Sequence, residues 1–135
     1  MKFARIVYGI AAAYGIVSLV PLYFLLDMVG RDAPPPVTHP EFYYGFLGVA
    51  LLWQAVFLLI AKDPIRYRSL MPIAVLEKLT YTVPVVLLYL NGRVQPSIVR
   101  SSLVDPIFAI LFVIAYLRTS PHFLPGVARQ NAPAH

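Results

Sequence analysis

The sequence predicts an all-α integral membrane protein whose four helices cross the bilayer as a bundle. Three observations lead to this prediction. Hydrophobic residues make up 59% of the chain and charged residues only 13%, about half of the roughly 25% charged residues in an ordinary soluble domain. The apolar residues are gathered into four long runs. The breaks between the runs are rich in proline, glycine and basic residues, which is typical of connections at a membrane surface.

The lengths of the runs fit membrane-spanning helices. A helix needs about 20 residues, at about 1.5 Å each, to cross about 30 Å of hydrocarbon. Backbone groups in hydrocarbon must be bonded internally, and the runs are too uniformly apolar for barrel strands, which alternate. We therefore predict one membrane domain over 1–118, followed by a polar cytoplasmic tail over 119–135. The predicted spans are 4–28, 41–61, 69–90 and 97–118.

The fourth span allows two interpretations. Its purely apolar part, 106–117, is too short to cross a bilayer. A start near Pro96, a residue suited to a first helical turn, gives the required length and places Asp105 and Pro106 inside the helix. If the helix starts at Asp105 instead, this carboxylate is a cap at the outer interface. The sequence leaves both alternatives open.

The distribution of Lys and Arg predicts that both termini are cytoplasmic. One side of the predicted domain carries seven basic residues and the other carries three, with Lys78 left out because it lies within a span. By the positive-inside rule the richer side is cytoplasmic. Composition and the lack of a targeting signal favour a bacterial inner membrane. The seven are Lys2, Arg5, Lys62, Arg66, Arg68, Arg118 and Arg129, and the three are Arg31, Arg93 and Arg100.

Several classes of function are disfavoured by the same residues. The net charge of +5 does not predict nucleic-acid binding, because the basic residues lie at the ends of apolar runs, where they meet lipid headgroups. The chain has no cysteine, which excludes thiolate metal sites and iron–sulfur clusters. His39, His122 and His135 all lie outside the predicted spans, and no Gly-rich phosphate loop is present. We predict no cofactor, no metal and no particular catalytic residue.

Three ionisable residues inside the predicted spans are candidates for function, because charge within a membrane is costly. They are Glu77, Lys78 and Asp105. We expect Lys78 to extend its long stem toward the cytoplasmic headgroups. Glu77 either serves function or joins helices through a hydrogen bond to Gln54 or Tyr81.

Polar and aromatic side chains from all four spans lie at similar predicted depths. If they point inward, they form a mostly apolar pocket with a few polar groups, which is the usual character of a small-ligand site. Glu77 and Gln54 would anchor a lipid, a quinone or another apolar molecule, and Tyr81 and Trp53 would form walls. The candidate ligand-binding residues are Glu77, Gln54, Tyr81, Trp53, Tyr14 and Asp105, with Ser18 at the same depth.

Three segments carry a resemblance to a known group of proteins. They are YGFLG at 44–48 leading to Trp53-Gln54, DPIRYR at 63–68 and LEK at 76–78. With the four-span layout, they resemble small bacterial membrane proteins of the DoxX-like kind. The resemblance covers most of the chain in architecture and implies a four-span fold. It implies no single activity, since the group has none in common, and no site residues are carried over from it.

Three functions are compatible with the sequence. The first is binding of an apolar ligand or lipid in the pocket. The second is a structural role, as a homo-oligomer or an accessory subunit of a membrane complex, for which the small pairs Gly9 with Ala13 and Ala11 with Gly15 suit close helix packing. The third is a membrane isomerase or proton-coupled transporter using Glu77 and Asp105. It is disfavoured because the spans lack a histidine and four helices are few for a transport path.

Overall fold

The computed structural model describes residues 1–119, which are helical throughout apart from turns and short connections and contain no strand. The predicted all-α fold is confirmed for this part of the chain. The predicted tail, apart from Thr119, lies outside the described residues. The α-helices are α1 (Lys2–Leu19), α2 (Leu26–Asp32), α3 (Pro40–Lys62), α4 (Met71–Leu90), α5 (Pro96–Ser102) and α6 (Val104–Arg118). Two short 3₁₀ helices cover Pro21–Phe24 and Arg68–Leu70.

Four helical stretches of 23 residues each are long and apolar enough to cross a membrane. At about 1.5 Å per residue each is about 35 Å long, which exceeds the roughly 30 Å of the hydrocarbon core. The predicted number of helices that are long and apolar enough to cross a membrane is confirmed for the described residues. The first to fourth spans are Lys2–Phe24, Pro40–Lys62, Arg68–Leu90 and Pro96–Arg118.

The first span ends earlier than the predicted residue 28 because the helix is interrupted at Pro21. Proline has no N–H to donate and its ring clashes with the preceding turn, so α1 ends at Leu19 and a 3₁₀ turn follows. The Tyr43 hydroxyl of α3 donates a hydrogen bond of 2.7 Å to the carbonyl of Leu22 in this turn. A side chain of the second span thus stabilises the irregular end of the first.

The fourth span combines the two alternatives left open by the sequence. Helix α5 begins at Pro96, α6 begins at Val104, and Leu103 lies between them with helical dihedrals. The interruption has a local cause, because Pro106 cannot donate the hydrogen bond that the Ser102 carbonyl would otherwise accept. Asp105 therefore lies within the span and also in the first turn of its second half.

The helices are arranged so that α1 is central and one gap is left open. Helix α1 packs against α3 and α6, and α6 packs against α4. Helices α3 and α4 make hardly any direct backbone contact. The order around the bundle is therefore α3, α1, α6, α4, with a gap between the second and third spans that only side chains fill.

The half of the bundle near the N-terminus is filled by an aromatic core. Tyr8, Phe57 and Phe112 are fully buried, and the rings of Tyr8 and Phe112 stack with their centroids 4.1 Å apart. Phe57 meets Phe112 edge to face at 5.1 Å. Alanines of α1, α4 and α6 allow the helices to approach this core. The other half of the bundle is less filled and contains the cavity described next.

Candidate functional site

Three charged side chains of the third and fourth spans form one cluster. Lys78 Nζ lies 3.2 Å from Glu77 Oε2 and 3.2 Å from Asp105 Oδ1. The Lys78 side chain is 11% exposed, and those of Glu77 and Asp105 are 17% and 24% exposed. The ammonium group therefore joins a carboxylate of α4 to one of α6. Because burying these groups separately is costly, the cluster holds the two helices in one register.

Lys78 was expected to extend toward the membrane surface, but its side chain does not do so. Its Nζ atom turns inward and also lies 5.1 Å from the centre of the Phe57 ring. The reason is the position of Asp105 in the first turn of α6, which offers a buried carboxylate at the same depth. An ion pair and a cation–π contact replace the headgroup contact.

The two partners of Lys78 are held differently. Glu77 is its neighbour along α4, and adjacent residues on a helix do not face each other. The contact is accordingly an ion pair without good hydrogen-bond geometry, so that Glu77 Oε2 has no hydrogen-bond partner in the described part of the chain. The expected pairing of Glu77 with Gln54 or Tyr81 is absent from the described hydrogen bonds.

The cluster lies close to the middle of the bundle. The central residues of the four 23-residue spans are Ala13, Leu51, Leu79 and Ile107. Glu77, Lys78 and Asp105 are within two residues of these centres along their helices, about 3 Å at the helical rise. Gln54 is three residues from the centre of its span, about 4.5 Å. The polar groups are thus placed as far from the helix ends as the fold allows.

Gln54 is buried at the wall of the cavity, with 3% of its surface exposed. Its Nε2 atom donates to the carbonyl of Ala50 at 2.8 Å, which fixes the orientation of the amide. The Oε1 atom is buried and has no hydrogen-bond partner among the described residues. The amide lies directly against Gly15 of α1, where a Cβ atom would overlap it. A side chain at this position of α1 would therefore force the Gln54 amide to move.

A cavity of about 360 Å³ lies beside these groups and is open on one side. This volume falls near the lower end of the roughly 300–1,000 Å³ range of ligand pockets. All four spans contribute to its wall, which is mostly apolar. The lining residues comprise Ala11, Tyr14, Gly15, Ser18, Leu19, Phe46, Val49, Ala50, Trp53, Gln54, Glu77, Lys78, Thr80, Tyr81, Ser101, Asp105 and Phe108.

Two pairs of aromatic rings border the cavity. The rings of Phe46 on α3 and Tyr81 on α4 lie 5.7 Å apart and bridge the gap between the second and third spans. Tyr14 on α1 and Phe108 on α6 form a second pair, with centroids 5.9 Å apart. The cavity is therefore bounded partly by side chains that can rotate.

The structure brings together the residues that the sequence analysis singled out. Glu77, Gln54, Tyr81, Trp53, Tyr14 and Asp105 all line this cavity, and so does Ser18. The sequence analysis missed the inward orientation of Lys78 and the lining rings of Phe46 and Phe108. The depth of Phe108, near the middle of the fourth span, was a usable signal, whereas the helix face on which Phe46 lies was not predictable from an apolar run.

Other candidate ligand groups are less organised. His39 Nδ1 lies 3.0 Å from Glu41 Oε1 at the exposed start of α3. Within residues 1–119, no three side chains of His, Cys, Asp or Glu come close enough together to hold a metal ion. No family model, curated protein or solved structure matches the chain.

Proposed function

We propose that this protein is a multi-pass inner-membrane protein that binds a small apolar molecule or lipid in the central cavity. The observation that carries the proposal is the convergence of polar groups from four apolar helices on one cavity. Glu77, Gln54 and Asp105 reach it from three spans, and the wall around them is aromatic and aliphatic. A few fixed polar groups in an apolar cavity orient a ligand, while the apolar wall provides affinity.

The unpartnered acceptor of Gln54 supports the same proposal. Buried polar atoms are nearly always hydrogen-bonded, and one that is not costs about 1–3 kcal/mol. A residue serving only to hold helices together would be expected to use its acceptor for that purpose. The buried Oε1 atom is instead left for a group that enters the cavity.

The orientation in the membrane is part of the proposal. The basic residues around the turn 63–68 and near both ends of the four-span domain outnumber those at the opposite end seven to three. With both termini cytoplasmic, these residues meet the anionic cytoplasmic leaflet. The relationship to DoxX-like proteins also stays a proposal, based on the segments 44–48, 63–68 and 76–78.

Native mass spectrometry of the protein gently extracted from its own membrane tests ligand binding. We expect a bound mass of a few hundred daltons on the wild type. Ala50 lines the cavity, so Ala50→Phe should fill part of it and remove the bound mass. Ala55 is exposed on the same helix, so Ala55→Phe should retain it. Equal occupancy in all three proteins would reject the central cavity as the binding site.

A second candidate function is that of a subunit in a homo-oligomer or larger membrane complex. It is favoured by Gly9 on α1, where no atom from elsewhere in the described chain comes within 4 Å of the place a Cβ would occupy. Another helix could pack closely at such a position. In the same mass spectra, a stable stoichiometric partner or a multimer without bound ligand would favour this function over ligand binding.

A further inference from the structure

We infer that the ligand of the central cavity carries a positively charged hydrogen-bond donor, as a protonated amine with an apolar body does. The inference rests on the proposed ligand-binding function and specifies its chemistry. It follows from three independent properties of the cavity wall. These are its charge, its unused hydrogen-bonding atoms and its aromatic rings.

The first property is an excess of negative charge. Glu77 and Asp105 provide two carboxylates, and Lys78 provides one ammonium. Among the residues that line the cavity, Lys78 is the only base. With all three ionised, the wall carries one uncompensated negative charge away from the helix ends. A cation entering the cavity would pair with the carboxylate that Lys78 alone does not neutralise.

The second property is a buried hydrogen-bond acceptor of the wall, Gln54 Oε1, that is not used. The amide Nε2 of Gln54 donates a hydrogen bond to a carbonyl of its own helix, and the ammonium of Lys78 pairs with two carboxylates. The hydroxyls of Thr80 and Ser101 donate to carbonyls of their own helices at 2.6 and 2.8 Å. Among the buried side-chain atoms of the wall, Gln54 Oε1 has no partner in the described part of the chain, and Glu77 Oε2 has the Lys78 ammonium as its ion-pair partner but no hydrogen bond. Both can accept, whereas an ionised carboxylate and an amide oxygen cannot donate.

The third property is the set of aromatic rings around the polar groups. Tyr14, Trp53, Tyr81 and Phe108 line the cavity. The faces of aromatic rings attract cations, most strongly where water is excluded. The wall already holds one cation in this way, because Lys78 Nζ lies over the ring of Phe57. A second ammonium would meet the same kind of surroundings.

Ligands of other charge fit less well. An anion would be repelled by the excess carboxylate, and a neutral alcohol could serve the Gln54 acceptor without balancing the charge. The ligand that answers all three properties has a short apolar body and one ammonium group. Alkylammonium groups stay protonated at neutral pH, since the amine of a lysine side chain has a pKa of about 10.4 in water.

Four probes with one alkyl chain separate these requirements. Octylamine offers charge and donors, octyltrimethylammonium offers charge alone, octanol is neutral, and octanoate is an anion. The unfolding temperature of the full-length protein in neutral maltoside micelles, measured against probe concentration, gives an apparent affinity for each. A charge-assisted hydrogen bond contributes enough for octylamine to bind at least about tenfold more tightly than octanol. The affinity for octyltrimethylammonium should fall between those for octylamine and octanol, and octanoate should bind most weakly.

Substitutions of the two carboxylates test whether they produce the preference for octylamine over octanol. Glu77→Gln and Asp105→Asn keep the side-chain shape and remove one charge each, so each should reduce the octylamine-to-octanol affinity ratio about tenfold. Glu41→Gln is the matched control, because Glu41 is 64% exposed in the first turn of α3 and does not line the cavity. It should leave the ratio unchanged. The ranking of the four probes on the wild-type protein provides the test even if one variant does not fold.

Each result decides between the alternatives. Equal or tighter binding of octanol or octanoate would overturn the inference and leave a neutral ligand in the cavity. Equal binding of octyltrimethylammonium and octylamine would overturn the requirement for a donor. An octylamine advantage that persists in both cavity variants would place the amine elsewhere. If none of the probes stabilises the protein, the proposed ligand-binding function fails together with the inference.

Discussion

Lys78 on α4 and Asp105 on α6 form an ion pair, with 3.2 Å between Nζ and Oδ1, near the middle of the helical bundle. It joins the third span to the fourth at the point where the fourth is interrupted before Pro106. The same ammonium contacts Glu77. A single basic side chain therefore contacts two partly buried carboxylates at the wall of the cavity.

Removing Lys78 should strongly destabilise the protein. Lys78→Met keeps an apolar stem of similar length and leaves Glu77 and Asp105 without their common partner. Breaking a buried ion pair by removing one partner costs about 3–5 kcal/mol. Reversible unfolding in mixed micelles should show a loss of this size. Lys62→Met, at the exposed end of α3, is the control and should change stability by less than about 0.5 kcal/mol.

The contribution of the ion pair can be isolated by introducing Asp105→Asn into both the wild type and Lys78→Met. A double-mutant cycle between Lys78 and Asp105 should give a coupling energy of about 1–3 kcal/mol. Additive effects of the two substitutions would mean that the contact does not stabilise the fold.

Two glycines of α1 should respond oppositely to alanine. A Cβ on Gly15 would overlap the buried Gln54 amide, so Gly15→Ala should displace that side chain and cost about 1–3 kcal/mol. A Cβ on Gly9 would have no atom from elsewhere in the described chain within 4 Å, so Gly9→Ala should be neutral or stabilise by up to about 1 kcal/mol. The measurement is the midpoint of unfolding for both variants. Similar losses at the two positions would contradict the described packing of α1 on α3.

Removal of the hydroxyl group should affect stability differently at Tyr8 and at Tyr43. Tyr8 is fully buried, and its hydroxyl has no hydrogen-bond partner among the described residues. Tyr8→Phe keeps the stacking on Phe112 and removes an unpaired polar atom, so it should leave stability unchanged or raise it by about 1 kcal/mol. Tyr43→Phe removes a hydrogen bond of 2.7 Å to Leu22 and should cost about 0.5–1.5 kcal/mol. A loss at Tyr8 larger than that at Tyr43 would mean that a water or ligand binds its hydroxyl.

The orientation of the protein can be tested because the chain has no cysteine. Ile65 and Gln95 are exposed, and they lie between spans at opposite ends of the bundle. With both termini cytoplasmic, a membrane-impermeant maleimide added to intact spheroplasts should label Gln95→Cys. It should label Ile65→Cys only after the membrane is permeabilised. The reverse pattern would invert the proposed topology.

Depth along each helix was the part of the site that the sequence could predict. The helical rise is constant and the spans have similar lengths, so counting residues from the span centres brings Glu77, Gln54 and Asp105 to one level. These residues and the predicted aromatic ones do line one cavity. Their inward orientation was an assumption that the structure supports.

The direction of individual side chains and the order of the helices could not be predicted. Each span is apolar on all sides, so no polar stripe indicates which face meets which neighbour. Lys78 could reach the surface or the interior with the same stem, and only the position of Asp105 on α6 decides between them. Pro21 was visible in the sequence, yet whether a proline ends a membrane helix depends on partners such as Tyr43 for the freed backbone groups.

The most direct test of the central claim uses Trp53, the single tryptophan of the chain, which lines the cavity. A terminally brominated octanol quenches tryptophan emission on close contact, so its titration in bicelles reports entry into the cavity. We predict saturable quenching of the wild type and of Ala55→Phe, and loss of the saturable component in Ala50→Phe. Quenching that rises without saturation, with the same slope in all three proteins, would reflect only the probe in the bilayer and would contradict a ligand-binding cavity.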